Sequence, residues 1–348
     1  MKYNSVATSK DVAMLAGVSQ ATVSRAFSNS ANLAPETRMR VMEAANTLNY
    51  KPNALARSLV STHSNIIGVV KGYTQNVMFS EMLSEIVYGL QQADKRVIYF
   101  EARQNESIDN LADKIMQYQI EGLILMYANL TSDLTLSCRQ RDIPVLQMHR
   151  YSKTLRTNAV LPDNFRAAAE AAELFVKRGF RNFVYLGGEI NSSSNMERQL
   201  GFLKKLGQYG FNNPVVWNGL YTYESGREAM RTLAPKLPLP CAILCGNDLM
   251  AFGAIDVLKY ELGLRVGEDV ALIGFDNTFM GQWPSYSLTT FAQPIEKMVQ
   301  DGLSLLFANI NDHQMAPVER RYPLVLIERE TTGNYKKKEE INEICQRE

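Results

Sequence analysis

The sequence predicts an all-α helix-turn-helix head over residues 1–62, followed by an α/β core of doubly wound parallel sheets in two lobes. Three observations carry this reading. Basic residues gather at one end: residues 1–62 hold seven Lys or Arg against three Asp or Glu, a net of +4, leaving −3 for the other 286. Two short helical patterns flank the turn Gly17-Val18-Ser19. From Ile66 onward, short apolar runs alternate with amphipathic stretches of helix length.

Ser9 is placed to cap a helix over Lys10 to Ala16, with Val12, Ala13 and Ala16 on one face. Gly17 ends it, because glycine takes the positive-φ conformation of a tight turn. Ser19 caps a second helix, Gln20 to Phe27, and the short glycine-containing link makes the pair a helix-turn-helix. Ala13 lets the helices cross closely, and Val23 plugs the angle between them. A third helix starts at Pro35 and runs to about Leu48, burying Val41, Ala45 and Leu48.

After the break Lys51-Pro52-Asn53, one further helix of about eight residues (53–60) is too short to be stable alone. A polar stretch, Ser61 to Asn65, links it to the core. There the apolar runs Ile66 to Val70, Val97 to Phe100, Gly122 to Met126, Val145 to Met148, Asn182 to Leu186, Ala242 to Cys245 and Ala271 to Phe275 read as strands. Phe79 to Asp94, Phe165 to Arg178, Met196 to Tyr209 and Asp248 to Leu262 read as helices between them.

A length of 348 residues argues for two or three domains. With a net charge of +1, any nucleic-acid function must come from a local patch. Hydrophobic residues at 46% and charged residues at 21% argue against disordered and membrane classes. No window of ~18 apolar residues exists, and Met1 to Asp11 lacks a secretory signal, which predicts a cytosolic protein without membrane contact. Cys138, Cys241, Cys245 and Cys345 are too scattered for a disulfide framework and read as small core residues. No phosphate cradle, nucleophile elbow or HExxH motif occurs, and His63, His149 and His313 are far apart, so no metal, cofactor or catalytic set is expected. His149, just past a strand, stands where ligands gather in open α/β sheets.

Five segments, SKDVAMLAGVSQATVSRAFSNSA (9–31), NYKPNALARSLVS, CGNDLMAFGAI, GLRVGEDVALIGFDN and PSYSLTTFAQP, together strongly resemble the lactose/galactose repressor family of bacterial transcription regulators. The matches keep their order from about residue 8 to 333. The resemblance implies a DNA-binding head (1–62) with a hinge helix (about 53–60) and an effector-binding core (63–335) like the periplasmic sugar-binding proteins. The core lobes would comprise about 65–160 plus 292–322, and 161–291 plus 323–335, with 336–348 as a charged tail. The function implied is a ligand-responsive, sequence-specific repressor of carbohydrate or related catabolic genes.

In the head, the resemblance makes the second helix the recognition helix, offering Gln20, Ala21 and Arg25 to base edges and Ser19, Thr22 and Ser24 to phosphates. Asn53, Ala56 and Leu59 complete the DNA-contact set. The residue matching Leu59 is a wedge in the minor groove, which Ala56 also faces. One recognition helix per head argues for a homodimer on a roughly palindromic operator. In the core, Phe79 matches an aromatic stacking on the effector, Arg198 a donor to it and Tyr221 an aromatic wall. Asn247 and Asp276 match groups bonding ligand hydroxyls or ring nitrogens, and Gln293 lies in a cross-over strand near the pocket.

His149 stands where many sugar-binding members carry an acid. If His149, Arg150 and Lys71 face the pocket, an effector with a carboxylate or phosphate is expected; a sugar, sugar acid or sugar phosphate all fit the class. A small-molecule enzyme using Asp276, Arg198 and His149 is the alternative without DNA function, but those three include no nucleophile and base pair. A transport-type binding protein shares the core but explains neither the head nor the absent signal.

Overall fold

Thr8, rather than Ser9, starts the first helix. The Thr8 side chain accepts from the Asp11 amide, and the Asp11 carboxylate accepts from the Thr8 amide at 2.8 Å. This reciprocal box closes two of the helix's orphan donors at once, which a lone serine at position 9 could not do. The computed structural model describes residues 7–27, 33–51, 64–103, 106, 108–126, 132–151 and 157–333. It falls into two units, Met1–Asn65 and Ile66–Glu348.

The first unit contains α1 (Ser9–Ala16), α2 (Gln20–Ala26) and α3 (Pro35–Thr47). Gly17 caps α1 with φ 63°, and Ser19 caps α2 by accepting from the Thr22 amide. Val12, Ala13, Ala16, Val23, Ala26, Val41, Ala44 and Ala45 form the core, with Leu48 and Tyr50 packed against it. The small residues on all three helices let their axes approach closely. The hinge segment with Asn53, Ala56 and Leu59, residue His63 and the charged tail 336–348 lie outside the described residues.

The second unit is built on two six-stranded sheets. The first contains β1 (Ile66–Lys71), β2 (Arg96–Glu101), β3 (Gly122–Met126), β4 (Val145–Met148), β5 (Asn158–Pro162) and β11 (Glu319–Tyr322), in the order β11-β5-β4-β3-β1-β2. The second contains β6 (Asn182–Gly187), β7 (Val215–Asn218), β8 (Cys241–Cys245), β9 (Val270–Phe275), β10 (Thr289–Ala292) and β12 (Val325–Ile327), in the order β12-β10-β9-β8-β6-β7. All pairings are parallel except β10 with β12. The first sheet's central strands β1 and β3 and the second's β8 and β9 are buried at every position, as strands covered by helices on both faces must be.

The helices of the first lobe are α4 (Met78–Gln92), α5 (Asp109–Met116) and α6 (Ser132–Gln140). Those of the second are α7 (Asn164–Lys177), α8 (Ser193–Gln208), α9 (Tyr223–Leu233) and α10 (Asp248–Asp256), the last continuing as a π-turn over Val257–Glu261. The following helix α11 (Ile295–Asn311) packs back against α4, β4 and β5 of the first sheet. The chain therefore crosses between lobes after β5, after β10 and after β11. Helix α8 begins three residues earlier than its apolar pattern indicates, because Ser192 caps it by accepting from the Asn195 amide at 3.2 Å.

Candidate functional site

In the head, Ser19, Gln20, Ala21, Ser24 and Arg25 are exposed on the outer face of α2 and Thr22 is half-buried, while Val23 and Ala26 point inward. This is the division that a 3.6-residue period requires of a helix serving both a core and a surface. Ser19 Oγ accepts from the Thr22 amide at 3.2 Å and lies 2.9 Å from Thr22 Oγ1. Gln20 Nε2 donates to Ser9 Oγ at 2.7 Å, so α1 holds the amide. Arg25 lies in the last turn, where the C-terminal end of the helix dipole favours a cation.

In the core unit, the carboxyl ends of the two sheets supply the second site. Asp276, at 6% exposure just past β9, is its centre. Its Oδ2 accepts from Asn76 Nδ2 at 2.6 Å and its Oδ1 from Gln293 Nε2 at 2.7 Å, while Arg198 Nη2 stands 4.0 Å from Oδ1. Burial raises the Asp276 pKa, opposed by Arg198 and the two amide donors.

Arg198, on α8, is 1% exposed. Its Nε donates to Asn164 Oδ1 at 2.7 Å, its Nη1 to the Gly246 carbonyl, and its guanidinium lies 4.0 Å from the Phe275 ring centroid. Its Nη2, like Gln293 Oε1, has no hydrogen-bond partner among the described residues. A buried donor and a buried acceptor left over beside one carboxylate are the groups a polar ligand would satisfy.

Gln293 also ties His149 into this set, its Nε2 lying 3.2 Å from His149 Nε2. A carboxylate only accepts, so Asp276 fixes which end of the Gln293 amide faces it, and that amide then donates to the imidazole. Burial, reinforced by Arg198 and Arg150, holds the His149 pKa well below its usual value, so the ring is neutral. Phe79, in the first turn of α4, meets the His149 ring edge-on with centroids 4.9 Å apart.

Tyr221 supplies a second aromatic ring, 5% exposed. Its hydroxyl lies 3.1 Å from Ser192 Oγ, its carbonyl accepts from Asn247 Nδ2 at 3.0 Å, and the Arg150 guanidinium carbon stands 5.4 Å from its ring centroid. Asn247 also accepts from the Met250 amide at 3.0 Å, so its two ends already cap α10 and hold Tyr221. His149 (φ 71°), Tyr221 (φ 60°) and Asp276 (φ 107°) all stand in left-handed backbone. Such residues cost on the order of 1–3 kcal/mol each and cluster where a ligand or a switch demands them.

The expected cationic character is largely cancelled. Lys71 is ion-paired with Glu101, and Arg150 Nη1 lies 2.9 Å from Glu189. The sequence reading missed Asn76, although it sits between β1 and α4, where ligand contacts gather. It also missed Asp248, which is fully buried and accepts from the Thr278 amide at 2.7 Å, from Thr278 Oγ1 at 3.0 Å and from Thr290 Oγ1 at 2.6 Å. Burial, with Asp276 nearby, pushes Asp248 up to about 7. Among the described residues no cluster of His, Cys, Asp and Glu could hold a metal, and no helix is long and apolar enough to cross a membrane.

Residues 8–53 match the family described as bacterial regulatory proteins, lacI family, and residues 172–332 match the periplasmic binding protein-like domain. The HTH-type transcriptional repressor PurR of Pasteurella multocida (strain Pm70) is 30% identical over 327 residues, covering 92% of this chain and 98% of that protein. The probable HTH-type transcriptional repressor ExuR of Bacillus subtilis (strain 168) is 30% identical over 308 residues, covering 88% and 92%. The lac repressor dimer bound to operator and the anti-inducer ONPF superposes with a TM-score of 0.84 at 26% identity, covering 94% of this chain and 99% of that one. With a head that buries Val23 while exposing Arg25, a core of two crossed-over sheets, and relatives matched over nearly their whole length, the chain belongs to the lacI family of bacterial regulatory proteins.

Proposed function

We propose that this chain is a repressor that binds operator DNA through α2 and a small polar effector between its core lobes, the effector altering operator affinity. The observation that carries the reading is the buried set Asp276, Arg198, Gln293 and His149, with Phe79 and Tyr221 as aromatic walls, in a chain that also has a helix-turn-helix head. In the head, Gln20, Ala21 and Arg25 read bases, and Ser19, Thr22 and Ser24 hold phosphates. Asn53, Ala56 and Leu59 meet the minor groove, with Leu59 as the wedge. The protein acts in the cytoplasm as a homodimer on a roughly palindromic operator, since each head has one recognition helix. No catalytic role is assigned to any residue.

The charge pattern favours an uncharged effector, a polyhydroxy compound or a heterocycle, over an anion. The cations Lys71, Arg150 and Arg198 each face a carboxylate, and His149 is neutral. A thermal-shift panel of neutral sugars, sugar acids, sugar phosphates and nucleobases tests this, because a bound ligand raises apparent stability by mass action. A neutral compound should raise the midpoint of the wild type and leave Arg198→Ala unmoved. Binding of acids alone overturns the charge argument, and a shift that persists in Arg198→Ala overturns the site.

A further inference from the structure

Asn76 reaches across the cleft. It follows β1 in the first lobe, whereas Asp276 follows β9 in the second, and the 2.6 Å bond between them joins two buried side chains. It is a hydrogen bond to a carboxylate between two largely buried side chains, and such bonds are roughly twice as strong as neutral ones. The other end of the same amide is occupied as well. Asn76 Oδ1 accepts from the Met78 amide at 3.1 Å, which orders the start of α4 and with it Phe79.

We propose that Asn76 is a positioning residue of the cleft, clasping the two lobes through Asp276 and standing in, before any ligand arrives, for the donor that an effector would bring. With Gln293 on Oδ1 and Asn76 on Oδ2, Asp276 is held from both sides. A ligand donor must share Oδ2 with Asn76 or displace it, so Asn76 sets how strong a donor the effector needs. Other cross-lobe bonds flank it, among them the Tyr151 amide to Ser193 Oγ at 3.2 Å, Ser194 Oγ to the His149 carbonyl at 3.4 Å, the Tyr151 hydroxyl to Glu197 at 3.1 Å and the Arg150–Glu189 ion pair at 2.9 Å. The clasp rests on the reading of this cleft as the effector site.

The test is hydrogen exchange read by mass spectrometry on the full-length, ligand-free protein, comparing wild type with Asn76→Ser and Asn76→Asp. Both substitutions keep an oxygen that can accept from the Met78 amide; the serine hydroxyl ends one bond short of the Asn76 amide's reach to Asp276, and the aspartate replaces the donor with a like charge. Exchange over residues 149–151 and 276–278, whose amides include the Tyr151 donor to Ser193 and the Thr278 donor to Asp248, should quicken roughly tenfold in Asn76→Ser and further in Asn76→Asp. Residues 82–90 of α4 and 182–186 of β6 should keep the wild-type rate. Unchanged exchange over 149–151 and 276–278 in whichever variant folds, or acceleration spread equally through α4 and β6, overturns the clasp. Because no ligand is used, that failure leaves the effector reading standing, whereas a panel without a binder removes the effector reading and leaves the clasp.

Discussion

Gly188 presents bare backbone to the ring of Tyr221: a Cβ there would stand 2.1 Å from two of the ring carbons. Tyr221 itself holds a left-handed φ of 60°. The ring is therefore fixed from behind by the absence of a side chain and from its edge by Ser192.

Gly188→Ala should push the Tyr221 ring off its seat, because real Cβ atoms never approach other atoms that closely. Overpacking of this kind costs ~1–3 kcal/mol. Effector affinity should fall at least tenfold while the far-ultraviolet dichroism stays that of the wild type. Calorimetric titration with the ligand found by the panel checks it.

Arg198→Met leaves Asp276 buried without its nearest cation. Breaking a buried pair by removing one partner costs ~3–5 kcal/mol. The Asp276 pKa, already raised by burial, should rise further once Arg198 is gone. A carboxyl whose folded-state pKa lies above its unfolded value loses stability as pH rises through that window. The deficit of the variant against wild type, measured by urea unfolding, should accordingly be larger at pH 7 than at pH 4.5.

Asp248 gives the wild type a pH signature of the same sign. Its pKa of about 7 exceeds the ordinary 3.8, so the folded state holds the proton more tightly than the unfolded chain between those values. Stability should fall as pH rises from about 4 to 7, by at most ~1.4 kcal/mol per unit from this one group. Asp248→Asn should remove that slope while keeping an acceptor for the Thr278 amide. Unfolding free energies of the two proteins at pH 4.5, 5.5 and 6.5, taken as differences, isolate the contribution.

Arg25→Ala should weaken specific DNA binding by ~1–3 kcal/mol and relax preference at one operator position. Val23→Ser should instead unfold the head, since Val23 is 2% exposed in its small core. Selection from random DNA followed by fluorescence anisotropy separates the two effects.

The strands legible in the sequence were the apolar ones. Ile66 to Val70 and Ala271 to Phe275 are buried throughout and read as apolar runs. The chain β11, Glu-Arg-Arg-Tyr, is an edge strand with three exposed charged residues, and it carries no periodic apolar signal. Strand β7 is an exposed edge of four residues, and β12 has three. The two helices of the head and the buried Asp276 were legible because motifs surround them. Asn76 was not, because its role depends on a partner 200 positions away that only the closed fold brings within 2.6 Å. The ion pair of Lys71 was hidden for the same reason: its partner Glu101 lies on the neighbouring strand.

One small molecule in the cleft and one DNA site on the head should answer to each other. Linkage requires each to change the other's affinity by the same factor, typically five- to 150-fold in coupled systems. The decisive measurement is a paired titration: anisotropy of the selected operator with and without saturating ligand, and calorimetry of the ligand with and without saturating operator, each on wild type and Arg198→Ala. Equal factors should come from the two directions in the wild type, with no ligand effect on operator binding in the variant. A ligand that binds the wild-type cleft yet leaves operator affinity unchanged would contradict this coupling.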